Sequence, residues 1–174
     1  RVAKFLLAPD TAIDLSPRSA RDVPAVAAAK NMRALIEAEF GVTIRRKIEH
    51  GVHPQQRSVV VELESRFPQV FDQVARSRFR HPDDLSIVSS LQHFFAFVSG
   101  RAVPGDWGFR YQDISRPDTA RRLDQILRER PQSFCLNDMD STEEHLDGQH
   151  AALTQFFGEY FPLPAPWERR PTTS

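Results

Sequence analysis

The sequence holds a single cysteine, Cys135, so no internal disulfide can staple it, and this usage suits a reducing compartment. No apolar run approaches the roughly 20 residues that span a bilayer as a helix, and no signal-peptide pattern is present. Neither sign of charge is in excess, because 23 Lys+Arg balance 23 Asp+Glu. That balance gives no argument for nucleic acid or an anionic membrane, so any anion site must be local. Repeats and low-complexity segments are absent, and the 13 prolines are scattered as punctuation. There is no initiator methionine and no polar lead-in before the apolar run at residues 2–7. The expectation is a fragment entered in a strand, with an N-terminal part that lies elsewhere.

What is present is an ordinary globular composition, 40% hydrophobic and 26% charged over 174 residues. That suffices for one domain with a substantial core. Residues 2–7 predict a buried strand and residues 9–21 a polar loop. Asp22 as N-cap and Pro24 predict a helix start. Its apolar residues are Val23, Val26, Ala27, Met32, Leu35, Ile36 and Phe40, and Gly41 closes it at the C′ position. A short strand follows at 42–47. A second helix from near Pro54 buries Val59, Val60, Leu63 and Phe67, with a break at Pro68. A third, from near Asp83, carries Leu85, Val88, Leu91 and Phe95 on one face and Phe94 and Phe97 on another, the pattern of a buried helix. Residues 100–107 read as a turn-rich loop. Beyond it come a strand at 109–114, a helix at 118–130, a strand at 133–136 and a last helix at 143–161 packing Leu146, Leu153, Phe156, Phe157 and Tyr160. Helices separated by short strands predict a helix-rich α/β fold.

Three clusters carry candidate chemistry. In the first, His50, His53 and Arg57 straddle a strand-to-helix junction. They offer a general base and an anion clamp, with helix N–H groups adding to the latter. Read plainly, they are surface loop histidines and an ordinary helix arginine. The second cluster, Arg76, Arg78 and Arg80 before Asp83 and Asp84, is either a phosphate clamp or helix capping with solvated charge. In the third, a buried strand delivers Asn137 and Asp138 at its C-terminal end, where α/β sheets bind ligands and where oxygen donors suit Mg²⁺. The plain alternative is an Asx turn with a capping box through Ser141 and Glu144.

Taken in order, these segments resemble the Stealth family of sugar-phosphate transferases. The likeness to its third conserved region runs through His50-Gly-Val-His53-Pro-Gln-Gln-Arg57, Glu62-Leu63, Phe67-Pro68, Phe71 and Arg80-His-Pro-Asp83-Asp84, then the aromatic helix to Gly100. The fourth region's likeness is Phe134-Cys-Leu-Asn-Asp138, Phe156, Tyr160-Phe161-Pro162 and Pro166-Trp167-Glu168. On this resemblance residues 1–48 connect, 49–116 are the third region and 117–174 are the fourth with a tail. The whole is then the C-terminal half of a Rossmann-like transferase domain. The implied reaction moves a sugar 1-phosphate of N-acetylhexosamine type from a UDP-sugar to a hydroxyl of a polysaccharide or oligosaccharide, releasing UMP. The product is a phosphodiester of capsule or exopolysaccharide.

The resemblance further implies His50, Arg80 and Asp138 as catalytic residues and His53, Arg57, Asp84 and Asn137 as substrate-binding residues. Asn137 and Asp138 become the ligands of a divalent cation, Mg²⁺. The base is His50 or His53. Val52 stands between them where the family often has proline, which leaves that choice open. Asn31, a polar residue in an apolar helix, matches a family position and would brace the site loop. Convergence of His50, Arg80 and Asp138 on one cleft is expected. So is a cytoplasmic location at the inner membrane face, with any peripheral membrane association made by other parts of the protein. No nucleic-acid partner is expected. Because the family's first region and the Asn-Asp-Asp segment of its second are absent here, this stretch alone is expected to be inactive. Two rival readings are a non-catalytic carbohydrate-binding module, with Trp107 and Trp167 as sugar platforms, and a metal-dependent phosphoesterase built on the two histidines.

Overall fold

The computed structural model describes residues 2–8 and 13–168, so part of the predicted polar loop and the end of the tail lie outside the described residues. The sequence reads as one domain. The structure separates it into two compact units, Arg1–Asp106 and Trp107–Ser174, with the boundary inside the stretch assigned to the third region.

In the first unit β1 (Ala3–Phe5) pairs in parallel with β2 (Ala102–Pro104), Ala3 opposite Ala102 and Phe5 opposite Pro104. Strand β2 replaces the predicted loop. Gly100, at φ 71°, turns the chain so that residues 102–104 return beside β1. The predicted strand at 42–47 is absent. Within it only Ile44 is buried, and Arg46, which would share its face in a strand, is exposed, so no period-two apolar face exists to pair. Ile48 alone bridges Leu7 in antiparallel sense.

Helix α1 (Pro24–Phe40) begins on its proline, as expected, but Val23 is the N-cap. Asp22 instead accepts from the Ser19 N–H and from Lys30. Val23 and Val26 are exposed rather than core. Gly41 takes φ 66° and donates to the Glu37 carbonyl, the predicted C-terminal cap. The predicted break at Pro68 separates α2 (Arg57–Arg66) from α3 (Pro68–Arg76).

Helix α4 (Gln92–Val98) starts later than expected and is preceded by a π-helical turn, Ile87–Leu91, where the Leu91 N–H reaches the Ser86 carbonyl at 2.7 Å. One extra residue in a turn rotates the preceding positions by about 100° relative to a regular helix. Val88, expected in the core, is therefore exposed, while Gln92 and His93 join Leu91, Phe94 and Phe95 inside. Phe95 packs edge-on against Phe40 and Phe67. The core around it includes Phe5, Ile36, Val59 and Leu63, each worth about 1.5–3 kcal/mol of burial.

The second unit is a βαβ element with an added helix. Strand β3 (Phe109–Asp113) runs parallel to β4 (Ser133–Asn137) with Asp113 opposite Asn137, and α5 (Thr119–Glu129) lies between them in sequence. Helix α6 (Glu143–Tyr160) supplies Phe156 to a core with Leu123, Ile126 and Phe134. Leu146 and Phe157, expected to pack, are exposed. Thr142, not Ser141, is the N-cap of α6, and no side chain caps it. Short parallel strands and six α-helices among the described residues make the fold α/β. No described helix is long and apolar enough to cross a membrane.

Candidate active site

The backbone beside β1 sets the first cluster. The Ala8 N–H donates to the Lys47 carbonyl and the Glu49 N–H to that of Leu6, each at 2.9 Å, so the chain is held against the strand up to His50. There the His50 N–H donates to Glu49 Oε1 at 2.9 Å. Four residues past Glu49 the chain doubles back, and His53 Nε2 lies 2.9 Å from the Glu49 carbonyl oxygen. A carbonyl only accepts, so Nε2 is the donor in this contact.

His50, His53, Arg80 and Asp84 line one cavity of about 740 Å³. Four of the sequence candidates are thus brought together. Arg57, the exposed first residue of α2, is not among the lining residues. The π-helical turn adds Ser89 and Ser90 to the wall. Arg80 and Lys47 have no carboxylate partner among the described residues, so two lining cations remain available to an anion.

Polar contacts behind the cavity brace the Arg80 loop. Asn31 Nδ2 donates to the carbonyls of Pro82 (2.9 Å) and Asp84 (3.0 Å), which is the bracing role expected of this amide. Asp84 accepts from the His81 N–H at 2.8 Å and from the Ser77 hydroxyl at 2.9 Å. Its carboxylate therefore fixes the loop, and it makes no ion pair with Arg80. Asp83 does not cap a helix; it pairs with Arg18 at 2.5 Å.

Sequence reasoning missed Lys30. Its ammonium is buried and meets Asp14 at 2.8 Å, Asp22 at 3.1 Å and the Ser16 hydroxyl at 3.0 Å, tying the preceding loop to α1. The hydrogen bond to Asp14 raises the Lys30 pKa against the opposing effect of burial. Asp14 is in turn held well below the usual carboxylate range, chiefly by that bond. A lysine on an alanine-rich helical face, after two loop aspartates, was the available signal. Also missed was His93, which is buried beside His53 and whose pKa burial lowers to about 4.

In the second unit the polar residues gather where the parallel strands end, as predicted. Asn137 Nδ2 lies 3.0 Å from the Tyr111 hydroxyl and 2.9 Å from Met139 Sδ. Asp138 Oδ1 accepts from the Ser141 N–H at 3.0 Å, three residues on, where the expected Asx turn would reach two. Asp113, opposite Asn137, was overlooked. It accepts from the Ser115 hydroxyl at 2.6 Å and N–H at 3.0 Å, and the hydroxyl is the main reason its pKa falls. Among the described residues no three His, Cys, Asp or Glu side chains converge as a metal site.

Residues 49–97 match the model of Stealth protein conserved region 3, and residues 124–174 match that of conserved region 4. The chain belongs to the Stealth protein family. Among curated relatives, it is 43% identical to exopolysaccharide phosphotransferase SCO6023 of Streptomyces coelicolor over 153 residues, 87% of this chain and 26% of that protein. A second Streptomyces coelicolor exopolysaccharide phosphotransferase, SCO2594, is 42% identical over 171 residues, 97% of this chain and 28% of the relative. Exopolysaccharide phosphotransferase CpsY of Mycobacterium tuberculosis is 36% identical over 144 residues, 82% of this chain and 27% of the relative. This Stealth chain thus spans about a quarter of the length of the relatives it matches.

Proposed function

We propose that this stretch, within a complete protein, takes part in transferring a hexose 1-phosphate of N-acetylhexosamine type from a UDP-sugar to a glycan hydroxyl. The observation that carries the reading is the cavity that gathers two histidines and a carboxylate-free arginine in a chain whose relatives are named exopolysaccharide phosphotransferases. The acceptor oxygen attacks the phosphorus that bears the sugar and gives its proton to an imidazole. A new O–P bond forms, the phosphoanhydride O–P bond breaks, and UMP leaves. Such a transition state spreads charge over the phosphoryl oxygens, which is what a guanidinium fork stabilises.

His50 is the assigned base, as the family resemblance implies, and His53, whose Nε2 meets a backbone carbonyl, orients the substrate or that base. Arg80 clamps the phosphate, and Arg57 and Asp84 support binding and loop geometry. In the second unit, Asn137 and Asp138 present amide and carboxylate oxygens. That donor set suits Mg²⁺, which takes one or two protein oxygens and keeps several waters. When bound, the ion would supply charge neutralisation to phosphate oxygens. Because the chain spans only a quarter of its relatives' length, it is proposed to be inactive by itself, with the nucleotide-facing residues elsewhere in the protein. A cytoplasmic site of action at the inner membrane face fits a nucleotide-sugar donor.

The test uses the complete protein. His50→Ala should abolish turnover while leaving thermal unfolding unchanged, and a chelator should stop the wild type until Mg²⁺ is restored. Normal rates in His50→Ala would remove His50 from the mechanism.

A further inference from the structure

We propose that Gln92 and His93 form a positioning pair that fixes the ring of His53; the functional consequence rests on the transferase reading above. Both side chains are buried, at 2% exposure, in a stretch of helix that is otherwise apolar and aromatic. Polar groups in such a place cost stability unless bonded, so their partners indicate what they are for. Gln92 Nε2 donates to the Pro54 carbonyl at 3.3 Å and meets the His93 ring between its two nitrogens, 2.9 Å from Nδ1 and 3.0 Å from Nε2. Pro54 directly follows His53, so the amide ties α4 to the histidine loop. The His93 ring meets that of His53 edge-on, with centroids 5.1 Å apart and planes at 77°. Phe5 closes another side at 5.9 Å.

His93 is not placed to touch substrate. It does not line the large cavity, and the space beside it is a void of about 10 Å³, room for at most one water. Its action is through His53. An amide N–H donates only to an unprotonated ring nitrogen, so the Gln92 contact requires a neutral His93, and burial favours that form. His53 is then held at two points, by the Glu49 carbonyl on Nε2 and by a neutral ring against its face or edge. Its tautomer and its orientation toward the cavity are both set before substrate arrives.

The experiment is nitrogen NMR of the complete protein labelled in its histidines, read beside steady-state kinetics with a UDP-sugar and a glycan acceptor. In the wild type the two ring nitrogens of His53 should show the separated signals of a locked Nε2–H tautomer. His93→Ala should bring those signals together and lower kcat about ten- to hundredfold, with little change in donor KM. His93→Phe, which keeps a ring in place, should restore the separation and most of kcat. Should His93→Ala fail to fold, Gln92→Leu is read instead, since it removes both amide contacts at similar volume. An unchanged His53 signature in His93→Ala or Gln92→Leu overturns the proposal. A lock that is present and lost as described, in a protein that transfers no sugar phosphate, upholds the positioning pair and overturns the transferase reading.

Discussion

The two units use their polar side chains in opposite ways. In Arg1–Asp106 the groups behind the cavity are bonded inward, Asn31 to the Arg80 loop and Lys30 to Asp14 and Asp22, while Arg80 itself has no carboxylate partner among the described residues. In Trp107–Ser174 the polar groups at the strand ends are each bonded to a neighbour in the same unit: Asp113 to Ser115 and Arg116, Asn137 to Tyr111, Asp138 to the Ser141 backbone. A cation with satisfied supports and no ion pair of its own is prepared for an external anion. A locally closed set of oxygens and amides mainly holds a strand end in shape. On this comparison the first unit's candidates should answer to activity, and the second unit's network should answer first to stability.

The largest expected effect breaks or keeps that contrast. Arg80→Ala in the complete protein should lower kcat about 10²–10³-fold with no change in unfolding temperature, because among the described residues no ion pair depends on the exposed guanidinium. Loss of stability without loss of rate would reverse the comparison. Asn31→Ala comes next: it removes two hydrogen bonds from a part-buried site and should cost about 1–3 kcal/mol, measured by denaturant unfolding, with a fall in rate as the Arg80 loop loosens.

Lys30→Met tests the buried charge network through pH. Asp14 and Asp22 have depressed folded pKa values, so their contribution is complete above the unfolded carboxylate pKa, about 4, and fades as pH falls through the lower folded values. Lys30 has a raised value, so its share holds below about pH 10.4 and is lost as pH rises through the folded pKa. Thermal unfolding of the wild type should weaken at both extremes, and the variant should be less stable near neutrality with a flatter profile. His93 adds a separate acid slope. Its folded pKa of about 4 lies below its unfolded value of 6.5, so stability falls as pH drops between them, and His93→Phe should remove that slope. The smallest effect is expected from Tyr111→Phe, about 1 kcal/mol or less in the second unit, since its hydroxyl bond to Asn137 is exposed.

Much of the fold was legible because it is written in local chemistry: Gly41 ends α1, Pro68 divides two helices, and the apolar run at 133–136 is a strand. What escaped depends on distant partners. Strand β2 exists because β1 is there to pair with, and its own residues carry turn signals. The π-helical turn shifted Val88 outward and Gln92 and His93 inward, which no regular 3.6-residue period can foretell. Of the candidate site residues, the loop residues His50, His53, Arg80 and Asp84 share a cavity. Its buried supports were not legible, because Lys30 and His93 look in sequence like a surface lysine and an aromatic-helix filler.

The most direct test of the central claim is the identity of the products made by the complete protein from a UDP-sugar and a glycan acceptor with Mg²⁺. Phosphorus NMR should show the donor's sugar-bearing phosphorus reappearing in a phosphodiester, with UMP in equal amount. Release of UDP, with that phosphorus still on the nucleotide, would contradict the account.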